Sequence, residues 1–569
     1  MPTVAEYVID RLADLGIDCA FGVPGDYSFP FDDAIDASTR VKWVVCANEL
    51  NAAYAADGYA RIKGAALLST TYGVGELSAL NGVMGSKAHR LPIFHIVGAP
   101  STRIQRQGLV THHTLGDGVF NNFAALSEAA ACVVARLTPD NVIEEMERVI
   151  HEAFRLSAPA YITVPMDLGK MPVIGTPPAR RTTIADAPRG ASVAGELDAA
   201  VTAILQRLGK ARRVVALPTA FLSTLGLAET CAEFLAKANI PYATTPMDKG
   251  VLSEASPGYL GIYSGQGSLP PALQPFVEAA DVVLDIGGVA FLDFNTTFWT
   301  HTIDEQKLIT IGDSFVRLGD VIYTGVRIGD VLRRLAQGAA RLDVDRPDLG
   351  YPVAPVTGAA TEPVTSAAFY PRLARILESG DVLVAETGSC LPQLTALKLP
   401  DGVGFQNQTL WGSIGWATPA AFGISMACMP PNGAARQAPA GRTILVTGDG
   451  SHQLTANEIG VMGRYGVNPI ILVLNNGIYG VEDVLSELGH VYDDLARWNY
   501  HLVPEAMGCK DWFTTRVGTI GELEAALQKA KDFSGASYIE VMIPPEESQP
   551  LPEPVRDLVY KTGTPKTSA

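Results

Sequence analysis

Short apolar, β-branched runs alternate with longer stretches whose apolar residues recur every three to four positions, and this alternation continues along most of the 569 residues. Runs such as KWVVC (42–46), IFHIVGA (93–99), VVLDIGG (282–288), TILVT (443–447) and IILVL (470–474) read as buried strands. The stretches between them carry a helical period, beginning with VAEYVIDRLADLG (4–16). Strands that alternate with helices predict parallel sheets with helices on both faces. Two breaks rich in proline, glycine and small polar residues, about 172–192 and 343–366, cut the chain into three near-equal parts. The fold class predicted is α/β: three consecutive doubly wound domains with mainly parallel sheets, at 1–175, 190–343 and 364–550, followed by a tail at 551–569. The outer two also resemble each other. Gly82-Val83-Met84-Gly85 precedes Pro92 and a strand, and Gly460-Val461-Met462-Gly463 precedes Pro469 and a strand, which predicts two copies of one architecture.

Composition narrows the classes of function. The formal net charge is −17 and no run of lysine and arginine exceeds two residues, which argues against nucleic acid or an anionic membrane as partner. A hydrophobic content of 47% suits a compact soluble protein, and no stretch of eighteen uncharged apolar residues offers a membrane span. Seven scattered cysteines without CxxC spacing predict reduced thiols, no zinc site and a cytoplasmic location. The middle part carries VVLDIGG but no complete GxGxxG, so it reads as a structural domain in preference to a dinucleotide site.

The densest chemistry lies between Gly448 and Asn476. A strand ends in the turn Gly448-Asp449-Gly450, a helical pattern starts near Leu454, and a second strand delivers Asn475 and Asn476. Neighbouring parallel strands joined by a helix set their carboxyl ends side by side, so Asp449 and Asn476 are predicted to meet. An anionic and a neutral oxygen suit Mg²⁺, and glycines let backbone N–H groups approach a phosphate. The local alternative is an Asp helix cap and an Asn-Asn turn. Glu49, after the strand KWVVC and before the small-residue helix LNAAYAADGYAR, sits where open α/β sheets bind ligands; taken alone, it is also the acid that a helix dipole favours in a first turn. His112-His113 form a loop pair with no third ligand at helical spacing, better suited to moving protons than to holding a metal.

The segment from GDG to NN resembles the signature of thiamine diphosphate enzymes, and further motifs extend the resemblance over essentially the whole chain: Glu49 before a helix ending in GYAR, GVPGD (22–26), the His112-His113 pair, AETG (385–388), WGSIG (411–415) and NNxxYxxE ending at Glu482. Together they are similar to the 2-oxo acid decarboxylases related to pyruvate, indolepyruvate and branched-chain 2-oxo acid decarboxylases. This resemblance implies the thiamine diphosphate-binding fold and two cofactors, thiamine diphosphate and Mg²⁺. It implies that Asp449, Asn476 and the carbonyl of Ile478 hold the metal, and that Thr387, Gly388, Ser413, Ile414, Gly448, Gly450 and Ser451 line the cofactor site. Ile414 would wedge the cofactor into its bent form, although by itself it reads equally as a core residue. Glu49 would hydrogen-bond the aminopyrimidine and promote formation of the ylide; Asp26, His112, His113 and Glu482 would handle protons during non-oxidative conversion of a 2-oxo acid to an aldehyde and CO₂.

Two positions depart from the family pattern. Gly477 stands one residue earlier than the usual glycine, leaving β-branched Ile478 at the metal-ligating carbonyl, and Gly480 replaces a threonine ahead of Glu482. Leu391 stands where pyruvate-specific members carry tryptophan, with Val481 and Leu485 as neighbouring wall and Phe294 as an aromatic that partly refills the space. A larger pocket predicts branched, long or aromatic 2-oxo acids, since each buried CH₂ adds about 0.8 kcal/mol. The alternatives are a pyruvate decarboxylase proper, a carboligase of the acetolactate synthase type with FAD in the middle domain, and a catalytically silent binding protein. The resemblance further implies a homo-oligomer, dimer or tetramer, with the cofactor between subunits and a C-terminal helix over the site.

Overall fold

The computed structural model describes residues 1–177, 183–184, 190–429, 441–485 and 490–545; the expected tail at 551–569, with its helix, lies outside the described residues. The first sheet holds β1 (Cys19–Gly22), β2 (Lys42–Val45), β3 (Ala66–Thr71), β4 (Ile93–Ala99), β5 (Val133–Arg136) and β6 (Ala160–Pro165), all parallel, in the order β2-β1-β3-β4-β6-β5. The middle sheet holds β7 (Val214–Pro218), β8 (Tyr242–Thr244), β9 (Tyr259–Ile262), β10 (Val282–Ile286), β11 (Leu308–Ile311), β12 (Phe315–Leu318) and β13 (Val321–Thr324), in the order β13-β12-β11-β10-β7-β8-β9. The third holds β14 (Val382–Ala385), β15 (Gly404–Gln406), β16 (Thr443–Gly448), β17 (Ile470–Asn475), β18 (Phe513–Val517) and β19 (Ser537–Met542), again all parallel, in the order β15-β14-β16-β17-β19-β18. Numbered from its own first strand, the third sheet repeats the order of the first, as the paired GVMG segments lead one to expect.

Two features differ from the sequence reading. β12 runs antiparallel to both of its neighbours, β11 and β13, so the middle sheet is mixed; the tight Gly319-Asp320 turn leaves no room for a crossover helix. The helix after the GDG turn begins at Asp449 itself and stops at Gln453, and a second runs from Glu458 to Tyr465. At the β10 end, Asp285 accepts the N–H of Gly288 at 3.0 Å, and a methyl group on Gly287 would stand 1.7 Å from Thr219 Oγ1.

The outer domains share one core. The helix Glu49–Lys63 crosses the helix Ala417–Ala427 at backbone distance: a Cβ on Gly58 would fall 2.2 Å from the carbonyl oxygen of Ala420, and one on Gly423 only 1.8 Å from that of Ala55. Polar ties surround this contact. Glu458 accepts from Asn51 Nδ2 (2.9 Å) and from the Ala47 N–H (3.2 Å), and Trp416 Nε1 donates to Asp57 at 3.0 Å. The middle domain docks on the third through a buried ion pair, Lys249 with Glu254 at 2.6 Å, whose second carboxylate oxygen accepts the N–H of Leu399 at 2.9 Å.

Gly423→Ala tests the helix contact. Overpacking a dry backbone crossing costs about 1–3 kcal/mol, so the variant's thermal midpoint falls by several degrees; an unchanged midpoint would show that the helices separate freely.

Candidate active site

Both outer sheets carry most of the predicted site residues at or just beyond their carboxyl edges, where ligands of parallel sheets bind. In the first domain, β1 leads to Asp26 and β2 leads to Glu49, the first residue of a helix capped by Asn48, whose side chain accepts the Asn51 N–H at 2.8 Å. β4 leads through the short helix Thr102–Gln107 into the loop bearing His112 and His113. The loop folds back so that His112 Nε2 lies 2.7 Å from Asp26 Oδ2, with His113 Nε2 4.0 Å from Oδ1. Sequence spacing offered no third partner for the two histidines; the fold supplies Asp26, and donor atoms of all three lie within 4.8 Å of one another. His113 adopts φ 58, a conformation rare for a side-chain-bearing residue and typical of positions held for function. Glu49 is half-buried; burial raises its carboxyl above the usual range, against the pull of its own N–H and of His113. The space beside it is small, since a Cβ on Gly75 would come within 3.2 Å of Glu49 Oε1 and 3.1 Å of Thr71 Cγ2.

In the third domain, β16 and β17 pair with Gly448 opposite Leu474, which sets Asp449 and Asn476 just beyond neighbouring strand ends. Asp449 is 2% exposed. Its Oδ2 accepts the Gly477 N–H at 2.7 Å and its Oδ1 the Gly450 N–H at 3.0 Å, yet burial still pushes the carboxyl up to about 6. Asn476 Oδ1 accepts the Ile478 N–H at 3.2 Å, and the Ile478 carbonyl accepts the Gly480 N–H at 3.0 Å, leaving one lone pair. The left-handed backbone falls at Gly477, with φ 76, and Ile478 is not among the residues of positive φ, so a β-branched side chain is unstrained there. A Cβ on Gly450 would strike the Tyr479 ring at 2.5 Å, and Ser451 is buried beside it.

The flanking segments complete this edge. Thr387 Oγ1 is buried without a partner, and nothing stands within 4 Å of a Cβ on Gly388 or Gly448. Ile414 belongs to none of the hydrophobic core clusters and is only partly buried, which separates it from an ordinary core residue. Ser413 spends its hydroxyl within the chain, on Tyr54 Oη at 2.6 Å and Asn81 Nδ2 at 3.2 Å. Glu482 is exposed in the first turn of the helix Gly480–Leu485, with Val481 and Leu485 partly buried on the same helix. Leu391 is buried at 7% exposure in the third-domain core, and Phe294 is 46% exposed, its ring 5.5 Å from that of Phe298. Among the described residues, no hydrogen bond or ion pair joins the Asp26–His112–His113–Glu49 group to Asp449 and Asn476, nor Glu482 to either.

Comparison with known proteins fits these two edges. Models of the N-terminal thiamine pyrophosphate-binding, central and C-terminal thiamine pyrophosphate-binding domains of thiamine pyrophosphate enzymes match residues 2–129, 201–335 and 388–541. A protein of Mycolicibacterium paratuberculosis named alpha-keto-acid decarboxylase is 36% identical over 99% of this chain and 97% of its own length. The chain belongs to the thiamine diphosphate-dependent 2-oxo acid decarboxylases. A Mycobacterium tuberculosis protein of the same name is 35% identical over 93% of this chain and 92% of its own. Among solved structures, benzoylformate decarboxylase from Polynucleobacter necessarius shares the fold with TM-score 0.77 at 19% identity, covering 97% of this chain and 100% of that one. A Mycobacterium smegmatis structure described as a putative thiamin diphosphate-dependent enzyme gives 0.76 at 20% identity, covering 95% of this chain and 99% of that one.

Two supports of this decarboxylase site escaped the sequence reading. Tyr27 stacks on His112, with centroids 4.8 Å apart and planes at 10°, and its hydroxyl lies 2.7 Å from Thr111 Oγ1. The signal was its place next to Asp26. Glu386 is fully buried; burial pushes its carboxyl up to about 8, against donors that include the N–H groups of Thr387 (3.0 Å) and Ala417 (3.3 Å), so it braces the Thr387-Gly388 turn against the segment after Ile414.

Proposed function

We propose that this chain converts a 2-oxo acid to an aldehyde and CO₂ without oxidation, with thiamine diphosphate held through Mg²⁺ at the carboxyl edge of the third sheet. The residues present fit both groups. A buried carboxylate with spare lone pairs, a carboxamide oxygen and a main-chain carbonyl form a set of hard oxygen donors, and an unpartnered Thr387 hydroxyl with open space over Gly388 and Gly448 suits a bound organic phosphate. Asp449, Asn476 and the Ile478 carbonyl would hold the metal. When bound, the cofactor supplies a thiazolium that accepts the electron pair left as CO₂ departs.

The chain's own groups orient and move protons. Glu49, with its carboxyl raised by burial, is the proton partner of the aminopyrimidine. His112, fixed between the Tyr27 ring and Asp26, and His113 beside it serve the protonation that releases the aldehyde. The observation that carries this reading is the gathering of Asp26, His112 and His113 next to Glu49, because carboligating relatives generally lack the histidine pair. Exposed apolar side chains flank both edges, Val74, Leu109, Val110 and Leu115 near Glu49 and the histidines, and Leu454 and Leu502 near Asp449. They support a second copy of the chain as cover, bringing the two edges together in a homodimer or a tetramer of such dimers. Glu482 then joins the proton-handling groups across that interface. Seven free cysteines, and no helix among the described residues long and apolar enough to cross a membrane, support a cytoplasmic setting.

Three outcomes test the proposal. Release of CO₂ and aldehyde depends on added thiamine diphosphate and Mg²⁺, and kcat/KM for phenylpyruvate or 2-oxoisovalerate exceeds that for pyruvate, since leucine at 391 with Val481 and Leu485 leaves a wider wall than tryptophan; a preference for pyruvate overturns the substrate assignment alone. Glu49→Gln lowers kcat by about 10²- to 10⁴-fold with cofactor saturating, and near-normal aldehyde production would remove Glu49 from the chemistry. Cofactor affinity at fixed Mg²⁺ weakens as pH falls through about 6, because a protonated Asp449 is no ligand. A fluorescence titration that stays flat from pH 7.5 to pH 5 contradicts the assignment of Asp449.

A further inference from the structure

Arg497 belongs to none of the motifs above, yet the fold delivers it to the metal edge. The segment Asp493–Tyr500 folds back across the strand ends and is pinned on both flanks. Tyr479 donates its N–H to the Asp493 carbonyl (2.8 Å), Leu495 donates to the Gly477 carbonyl (3.2 Å), and Gln453 Nε2 donates to the Ala496 carbonyl (2.7 Å). Gly477 and Gln453 belong to the two elements that carry Asn476 and Asp449, so Arg497 has little freedom to move relative to them.

The guanidinium lies directly on Gly477. A Cβ there would fall 1.6 Å from Nη1 and 2.8 Å from Nη2, which excludes any side chain at that position while the arginine keeps its place. The glycine one residue earlier than in related decarboxylases is favoured by φ 76, and it leaves the space that the guanidinium occupies. Arg497 is exposed and makes no hydrogen bond or ion pair with the described residues, although it lies within electrostatic reach of Asp449. An unpaired cation beside a site built for a divalent metal would repel that metal. The arrangement becomes favourable once a multiply charged anion lies between them, because a diphosphate carries more negative charge than Mg²⁺ cancels.

We propose that Arg497 is a further ligand of the cofactor's diphosphate, binding the terminal phosphate, and that Gly477 and Arg497 form a matched pair. This rests on the thiamine diphosphate reading above. The planar fork of a guanidinium suits two phosphate oxygens at once, whereas lysine offers only a point charge.

The experiment compares the full-length wild type, Arg497→Gln and Arg497→Lys, each titrated with thiamine diphosphate and with thiamine monophosphate at fixed Mg²⁺, by calorimetry or tryptophan fluorescence. Arg497→Gln is expected to weaken the diphosphate about 10- to 100-fold, the range of charged hydrogen bonds, and to leave the monophosphate within about twofold, with Arg497→Lys in between. Equal weakening of both ligands would overturn the proposal, because an arginine that only shapes the loop affects both. Unchanged diphosphate binding would overturn it as well. A wild-type chain that binds neither ligand defeats the cofactor reading itself, a result distinct from either of these.

Discussion

Everything at the two sheet edges depends on a contact made of almost nothing: the crossing of the helices Glu49–Lys63 and Ala417–Ala427, where Gly58 and Gly423 let backbone meet backbone. Alanine and glycine contribute little area each. Their value lies in closeness, since dispersion falls off steeply with separation and a crossing at this distance tolerates one geometry. One helix begins at Glu49 and the other begins three residues after Ile414, so the crossing sets the Glu49 edge of the first domain relative to the Ile414 segment of the third. Trp416, Asp57 and Arg61 surround the crossing with polar contacts, Trp416 Nε1 and Arg61 Nε both bonding Asp57, the latter at 2.7 Å.

The second constraint is electrostatic. Asp449 and Glu386 are buried, and Glu49 half-buried, in places where water cannot fully solvate a carboxylate, and in each case desolvation outweighs the local N–H donors. For Glu386 this favours the neutral acid, which serves a brace. For Asp449, raised to about 6, the same burial leaves a carboxyl whose ionised form a nearby positive charge would favour. The two differ in partners: Asp449 accepts the Gly450 and Gly477 N–H groups, whereas Glu386 accepts the Thr387 and Ala417 N–H groups and the Thr447 hydroxyl.

Much of this was legible in the sequence because the signals are local. Buried strands in parallel sheets read as unbroken apolar runs, and IFHIVGA became β4 residue for residue. The GDG turn, Asn476 and Glu49 each lie directly after such a run, so their places at strand ends followed from chain order alone. The β12–β13 hairpin was missed although its signal was present, two short β-branched runs around Gly319-Asp320, because the alternating helices elsewhere set the expectation. The place of Arg497, the stacking of Tyr27 on His112 and the 2.7 Å Asp26–His112 contact were not read from local pattern, for a different reason. Each depends on a loop folding back, and nothing in local propensity encodes where a loop returns. Leu391 is 7% exposed and packs with the third-domain core, a neighbourhood that its place in the chain alone did not define.

The buried Lys249–Glu254 pair, with its remaining oxygen on the Leu399 N–H, bears on how the middle domain moves. A purely apolar joint can shear, because one greasy contact replaces another at similar energy. Here a slide of even one residue would strand a charged oxygen in a dry seam, whereas complete detachment lets water take both charges. The seam therefore resists sliding more than a purely apolar joint would, since the bond from the Leu399 N–H to Glu254 fixes its register.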